Sequence, residues 1–411
     1  MRYELMSYVL FAIPFFFLLI GLELVLDKVR NTQYYRLNDA VNSLTIGVIS
    51  RMNQIARSVI PISMYALSID YISLTTLPDA PWVWVMAFVL YDFCYYWNHR
   101  MGHEINVLWA AHVVHHSSEE YNLTTALRQT SGGFVGWIFY LPMALIGVPV
   151  TILITVGSLN LIYQFWVHTR HVPKLGWFEW IFVTPSNHRV HHAQNQVYID
   201  RNYGGVFILW DRLFGTFQEE LENEPPIYGI RKALHSWNPL WANVHVYVQL
   251  AKDSFHTRNW KNKIAIWFRP TGWRPADVEQ QYPLPRADLT QFKKFDINLP
   301  VPIKFYAAVQ HILTLIIAVL FLINYQNMPE LEKWLVLGFV IFSSFSIGGL
   351  MEKRHYSLAL EWIKNILACA ALALYDLPNW FEWVIGSATV LSFYLLWVAT
   401  REHQPISESA V

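Results

Sequence analysis

Long apolar runs constrain this chain more than any other feature. A helix that spans a bilayer needs about 20 predominantly apolar residues, and runs of about that length recur along the 411 residues. Only 15% of the residues are charged, whereas soluble domains have about 25%, so the chain cannot cover itself with a water-facing shell. The sequence therefore predicts an all-α, multi-pass membrane helical bundle. The nine predicted spans lie near residues 5–26, 58–77, 82–98, 133–148, 150–167, 304–324, 333–350, 357–376 and 381–400.

The short loops predict the orientation, because cytoplasmic loops carry an excess of Lys and Arg. Lys28, Arg170 and Arg401 follow the first, fifth and ninth spans, whereas the loops 78–81 and 325–332 contain neither residue type. We therefore expect the N-terminus outside and the C-terminus in the cytoplasm. The first run lacks the small-residue cleavage site of a signal peptide, so we expect it to be retained as an anchor.

Two segments between the spans have their own character. Segment 39–57 is apolar but interrupted by Arg51, Asn53 and Arg57, which predicts an amphipathic helix at the membrane interface. Residues 168–300 form one long polar stretch, expected in the cytoplasm. The formal net charge is zero, which argues against a nucleic-acid partner. Cys94 and Cys369 lie far apart in apolar runs, so we expect neither a disulfide nor a thiolate metal site.

Histidines are crowded between residues 99 and 192, which contain ten of the sixteen in the chain. On a helix, residues at i, i+3 and i+4 share a face about 5–6 Å apart, so each cluster can aim several imidazoles at one point. Histidine also favours membrane interfaces, but that preference does not explain two HxxHH boxes. The clusters are His99-x3-His103, His112-x2-His115-His116, the pair His168 and His171, and His188-x2-His191-His192.

Imidazoles in this number predict a two-metal centre. Neutral imidazole suits Zn, Cu, Fe and Ni, and one structural zinc takes only four ligands. The zinc-protease signature HExxH is absent, because Val107 stands where the second histidine should be. A dinuclear iron site that activates O2 beside a lipid pocket fits this pattern best. Asp92 lies on the same helical stripe as His99, so we expect it to accept the second ring N–H of a ligating histidine, with Arg100 or the backbone as the alternative partner.

Two stretches resemble the fatty acid hydroxylase / sterol desaturase superfamily. They are "YDFCYYWNHRMGHEINVLWAAHVVHHSSEEYNLTTALRQ" at 91–129 and "TPSNHRVHHAQNQVYIDRNYGGVFILWDRLFGTF" at 184–217. Within that superfamily, Glu104 directly after His103, "SSEEYN" and the nine-span layout resemble the alkylglycerol monooxygenase subfamily. Residues 81–220 would then be the fatty acid hydroxylase-type catalytic domain. It would lie between N-terminal membrane helices at 1–80, a cytoplasmic connector at 221–302 and a C-terminal four-helix membrane region at 303–411.

The resemblance implies site residues. His171 departs from the relatives' HxxxH spacing and is left out of the implied ligands. Glu104 is implied as a catalytic carboxylate beside Asp92, although a solvated carboxylate at a helix end is the alternative. The implied metal ligands are His99, His103, His112, His115, His116, His168, His188, His191 and His192. Further residues expected to tether these boxes are Arg128, Asn187, Asp200, Asn202, Tyr203 and Asp211.

The implied activity is that of a membrane diiron lipid monooxygenase that cleaves the ether bond of O-alkylglycerols. Its expected cofactors and partners are two Fe ions, O2, a lipid substrate, the membrane, and an external reductant or tetrahydrobiopterin, since no fused redox domain is visible. One alternative is a hydroxylase or desaturase of sterols, fatty acids or carotenoids with an external electron donor. Another is a membrane metal transporter, which would place polar groups at mid-bilayer rather than at span ends.

Overall fold

Helices make up the regular structure of the chain. The computed structural model describes residues 7–57, 59–130, 135–285, 288–374 and 379–402. Within these ranges the extended backbone forms isolated bridges, such as Ile105 with Pro270, rather than strands. The helices are α1 (Ser7–Arg30), α2 (Leu37–Arg57), α3 (Val59–Ile72), α4 (Pro81–Glu104), α5 (Asn106–His116), α6 (Leu123–Leu127), α7 (Leu141–Leu145), α8 (Val150–Trp166), α9 (Pro185–His191), α10 (Leu209–Leu213), α11 (Pro239–His256), α12 (Trp260–Phe268), α13 (Ala276–Gln281), α14 (Val301–Asn324), α15 (Glu330–Met351), α16 (Ser357–Leu374) and α17 (Asn379–Glu402), with 3₁₀ helices at Gly136–Tyr140, Gly176–Trp180 and Leu289–Gln291.

The predicted all-α class is confirmed for the described residues. Of their helices, α14 and α15 are long and apolar enough to cross a membrane, and shorter apolar helices lie at Ile60–Ile72, Gly136–Leu145 and Val150–Trp166. The number of spans and their orientation stay predictions. Parts of the predicted spans 5–26, 58–77, 133–148 and 357–376 lie outside the described residues.

The chain divides into two compact units. The first unit comprises Met1–Arg36, Gln54–Leu234 and Asn243–Lys293. One of its cores packs α3, α4, α7 and α8 around Tyr65, Ala87, Met143 and Val156. Because α4 and α8 both run from this core to histidines, the core fixes where those histidines lie.

The second unit comprises Leu37–Asn53, His235–Ala242 and Lys294–Val411. Its core packs Ile303, Tyr306, Ile347, Leu350 and Leu396 from α14, α15 and α17. The segment 37–53 of α2 belongs to this unit.

Segment 39–57 lies in the predicted helix, and its position at the membrane interface stays a prediction. Ile46, Ile49 and Met52 are buried, and so are polar residues such as Asn42. Asn42 donates to the backbone oxygen of Trp237, and Thr45 is hydrogen-bonded to Nδ1 of His311. The amphipathic pattern of α2 therefore reflects apolar and polar partners inside the second unit.

Candidate metal centre

The first two histidine boxes meet because the backbone breaks between α4 and α5. Ile105 is extended, with φ −119° and ψ 127°, and separates the two helices. Asn106 secures the break, because its side-chain nitrogen donates to Ile266 O and Trp273 O while its side-chain oxygen accepts from Gly272 N. The two helices can therefore pack against each other and bring His99 and His103 to the histidines of α5.

The second HxxHH box lies on the short helix α9. Thr184 and Asn187 form a reciprocal capping box at its start, and Pro185 occupies the first turn. Such caps satisfy backbone N–H groups that the first turn leaves without helical partners. The helix carries His188 and His191 and is capped at its end by His192.

The nine histidines implied as ligands converge in two adjoining groups. Within each group, one ring nitrogen of every member lies within 4.8 Å of one from every other member. The five-histidine group is His99, His103, His112, His116 and His191. The four-histidine group is His115, His168, His188 and His192.

Each HxxHH box is divided between the two groups. His112 and His116, at i and i+4, enter the five-histidine group, whereas His115 enters the other. In the same way His188 and His192 share one group and His191 crosses to its neighbour. The rings of His116 and His192, one from each group, stack with centroids 4.3 Å apart. The two groups are therefore in direct contact. Each HxxHH box thus contributes ligands to both of the adjacent groups.

The distances between ring nitrogens are those of ligands to a shared ion. Two nitrogens bound at about 2.1 Å to one ion stand about 3.0 Å apart at a right angle and about 3.4 Å apart at a tetrahedral angle. In the five-histidine group, Nε2 of His112 lies 3.1 Å from Nε2 of both His99 and His116. In the other group, Nε2 of His188 lies 3.1 Å from that of His168 and 3.2 Å from that of His192.

Backbone carbonyls determine which ring nitrogen faces the centre. Nδ1 of His99, His115, His168 and His191 lies 2.7–2.9 Å from a main-chain oxygen. Because a carbonyl oxygen only accepts, each Nδ1 carries a proton and donates it. Nε2 of the neutral ring is then the nitrogen with the lone pair, which is the atom that binds a metal.

One pair of rings decides that the cluster fits a cation. Nδ1 of His115 donates to Arg128 O and Nδ1 of His168 donates to Gln164 O, so both Nε2 atoms carry lone pairs. Those Nε2 atoms face each other at 3.4 Å. Two acceptors that face each other repel unless a cation lies between them. Nε2 of His103 and of His191 are likewise buried without a hydrogen-bond partner, as expected of atoms whose partner is a metal ion.

Burial keeps the imidazoles neutral. It lowers the pKa of His115 to about 4. Burial, and then the neighbouring histidines, lower the pKa of His188 and His192 well below the ordinary value. A ring that is already neutral binds a metal without first losing a proton. The donor set is therefore preformed for a first-row metal.

Asp92 does not have the role expected from the sequence. Its carboxylate accepts from Asn160 Nδ2, from the backbone N–H groups of Val206 and Phe207, and from Trp210 Nε1, at 2.6–3.0 Å. The prediction of a bond from a ligating histidine is wrong, since Nδ1 of His99 donates to Tyr203 O instead. Asp92 orders residues 206–210, and it thereby supports the nearby carbonyl that orients His99.

Among the described residues, Glu104 and His171 belong to neither histidine group. Glu104 ends α4, where its partly exposed carboxylate accepts from Arg100 Nε at 2.9 Å. The ring of His171 packs against Tyr34, with centroids 5.0 Å apart. Among the isolated histidines, His235, His245, His256, His311 and His355 also stay outside the groups, and His403 lies outside the described residues.

Several residues of the matching motifs hold the boxes, as expected. Arg128 donates to Val114 O and to the Ser117 hydroxyl at the end of α5. Asp211 accepts from the backbone N–H groups of Tyr203 and Gly204, and Asn202 donates to Asn187 O. Burial raises the pKa of Asp211 to about 6. The carbonyl acceptors of the histidines were missed, because any residue type supplies a main-chain oxygen and the sequence gives no signal for it.

Comparison with known proteins identifies the family. Residues 84–216, which include all nine histidines, match the fatty acid hydroxylase model. The chain is 36% identical to alkylglycerol monooxygenase from Homo sapiens over 371 residues, which cover 89% of this chain and 82% of that protein. It is 35% identical to alkylglycerol monooxygenase from Xenopus tropicalis over 364 residues, covering 88% and 81%. The chain belongs to the alkylglycerol monooxygenase family.

Membership of the alkylglycerol monooxygenase family makes this protein an O2-dependent monooxygenase and confirms the resemblance drawn from the motifs. A more distant relative is the ornithine lipid hydroxylase of Rhizobium tropici, 30% identical over 145 residues that cover 33% of this chain and 43% of that protein. No solved structure matches the chain.

Proposed function

We propose that this protein is a two-iron membrane monooxygenase that cleaves the ether bond of O-alkylglycerols. The observation that carries the proposal is the pair of buried histidine groups in a chain that aligns over most of its length with alkylglycerol monooxygenases. The groups would hold one iron ion each, through five and four imidazoles. When bound, the iron pair supplies the redox chemistry that activates O2.

The net reaction accounts for the products. One oxygen atom of O2 is inserted into a C–H bond beside the ether oxygen, and the other leaves as water after taking up two electrons and two protons. The inserted hydroxyl makes that carbon a hemiacetal. Its C–O bond to glycerol then breaks as the hydroxyl proton moves to the leaving oxygen, which gives a fatty aldehyde and glycerol.

The protein contributes to this reaction by positioning the substrate and by excluding water from the metal centre. Fixing a methylene beside the reactive centre replaces an encounter in solution by an intramolecular step. Four of the nine neutral imidazoles are held by hydrogen bonds to backbone oxygens, which fix the orientation of those four rings. Glu104, partly exposed beside His103, is proposed to act at the rim of the five-histidine group.

The reductant is proposed to be tetrahydrobiopterin, consumed as a two-electron co-substrate. This assignment comes from the resemblance to the alkylglycerol monooxygenase family, because each turnover needs two electrons from outside the chain.

The chain is further proposed to cross the membrane nine times with the metal centre on the cytoplasmic side. α14 and α15 have the length and hydropathy of spanning helices. Large apolar side chains are exposed on helices in predicted spans, such as Phe11 on α1 and Ile312 on α14. The Lys and Arg distribution in the short loops supports the orientation.

A second candidate is hydroxylation of another lipid. The ornithine lipid hydroxylase of Rhizobium tropici and a fatty acid hydroxylase of Lecanicillium, 26% identical over 189 residues, match smaller shares of this chain. The histidine scaffold is therefore compatible with more than one lipid.

An isotope experiment tests the proposal. The purified, iron-loaded protein would receive a labelled alkylglycerol, tetrahydrobiopterin and ¹⁸O2. We expect labelled fatty aldehyde and glycerol, with ¹⁸O in the aldehyde when it is trapped before exchange with water. An intact ether that carries a new hydroxyl on its acyl or alkyl chain would instead favour the second candidate.

A further inference from the structure

The helix α12 exposes an apolar stripe that no part of the described chain covers. Trp260, Ile264 and Phe268 are four residues apart, so they lie on one face, and they are 73%, 61% and 69% exposed. Phe255, at the end of the preceding helix, is 79% exposed. Isolated exposed apolar residues are ordinary, but an aligned series of large ones marks an interaction surface.

The opposite face of α12 is fixed to the metal centre. Ile266 is fully buried and packs with Ala110 of α5 and Leu250 of α11. The backbone oxygens of Ile266 and Arg269 accept from Asn106, the first residue of α5. Since α5 carries three of the nine histidines, whatever binds the exposed stripe also sets the position of the metal centre relative to its partner.

Positive charge surrounds the stripe. Residues 254–276 contain five Lys and Arg residues and neither Asp nor Glu. Of the five, Arg274 pairs with the neighbouring Asp253, and Asp277 accepts from the backbone N–H of Arg258. Arg258, Lys261 and Arg269 are exposed, whereas Lys263 is held by the backbone oxygens of Ser254 and Phe255. Large apolar residues on one face with basic residues beside them are the pattern of helices that lie in a membrane surface, where cations meet anionic lipid headgroups.

We propose that α12 lies flat in the surface of the membrane, with its stripe among the acyl chains and its basic residues among anionic headgroups. Such helices bury their apolar face about 5–10 Å into the headgroup boundary. This placement adds a membrane contact within the polar stretch 168–300. It would hold α5 at a fixed depth beside the lipid surface, where a lipid headgroup would meet the histidines. The inference rests on the proposed membrane association.

Spin labels on the full-length protein in nanodiscs test this placement. Single cysteines at Ile264→Cys and Asn223→Cys, in a Cys369→Ser background, would be labelled and probed with O2, which partitions into lipid, and with a water-soluble nickel chelate. Asn223 is exposed and lies outside α12. In nanodiscs with anionic lipid we expect the ratio of O2 to nickel accessibility at Ile264 to be several-fold higher than at Asn223. Adding Arg258→Glu and Lys261→Glu should lower that ratio.

A third label separates failure of the inference from failure of the proposed membrane association. Ile316 is an exposed residue of α14. If Ile316→Cys is lipid-accessible while Ile264→Cys is as water-accessible as Asn223→Cys, the placement of α12 is overturned and the membrane association stands. If both are water-accessible, the membrane association fails as well. If Ile264→Cys is shielded from both reagents, a protein surface covers α12 and the lipid contact is overturned.

Discussion

Both units bury polar side chains, but those side chains are used differently. In the second unit, Glu361 accepts from Ser346 and Tyr306, at 2.5 and 2.6 Å, and pairs with Lys364. Two hydroxyl donors and one ammonium group there face a single carboxylate acceptor. In the first unit, the Nε2 atoms of nine histidines instead converge on one another, and two unprotonated nitrogens face each other at 3.4 Å.

This difference separates a structural network from a binding site. Buried polar groups are normally hydrogen-bonded, and the exceptions need an explanation. The Glu361 network needs none, because its members neutralise each other and fix the packing of α14, α15 and α16. The histidine groups are complete only when cations fill them. Variants of each region should therefore fail in different ways.

The largest effect is expected from single substitutions in the histidine groups. His115→Ala and His191→Ala each remove one ligand, and no further histidine of the described residues belongs to either group. We therefore expect loss of activity and of iron from the affected group. His256→Ala is the matched control, because His256 is exposed and outside both groups. Activity assays and metal analysis of purified variants check this. Equal sensitivity of His256 would show that the groups have no special role.

Breaking the buried pair in the second unit should cost stability and leave the metal. Lys364→Met leaves the buried Glu361 without its ion-pair partner, which lowers the free energy of unfolding by about 3–5 kcal/mol. Lys333→Met is the matched control, since Lys333 pairs with the exposed Glu330 at the same i,i+3 spacing, where a pair contributes about 0–1 kcal/mol. Thermal unfolding in detergent measures both. A Lys364→Met protein that folds normally but lacks iron would contradict the distinction.

Asp92 lies in the first unit yet behaves like the satisfied network. Asp92→Asn replaces one carboxylate oxygen by a donor that faces other donors, with an expected cost of about 1–3 kcal/mol. We expect a lower unfolding temperature with nearly unchanged iron per folded chain. If Asp92→Asn loses most of its iron while its unfolding temperature hardly changes, Asp92 supports a ligating histidine, as the sequence suggested.

The smallest expected effect is on the pH dependence of stability. Burial lowers the pKa of His115 to about 4, whereas an unfolded histidine has a pKa of about 6.5. Below about pH 6.5 the unfolded chain therefore binds more protons than the folded one, so stability falls as pH decreases from 6.5 towards 4. Metal-free wild type should lose unfolding temperature over this window more steeply than His115→Gln. Identical slopes would mean that His115 has the same pKa in the folded and unfolded states.

Sequence reasoning reached the histidines because their spacing is a side-chain pattern with a single geometric consequence on a helix. It did not foresee that each HxxHH box is divided between two groups, since that depends on how α5 and α9 pack. Two helices also carry features that the sequence reasoning did not foresee. The polar face of α2 is buried by partners distant in sequence, such as Trp237 and His311. The exposed stripe of α12 was overlooked because its flanking lysines and asparagines make the segment appear polar.

Iron stoichiometry tests the central claim most directly. The purified full-length protein, loaded with ferrous iron without O2 and washed with a mild chelator, would be analysed for iron and for protein by quantitative amino-acid analysis. Two buried groups predict two retained iron ions per chain in wild type. They predict a lower ratio in His115→Ala and His191→Ala, and an unchanged ratio in His256→Ala. A wild-type protein that is fully active with one iron per chain, or with none, would contradict the account.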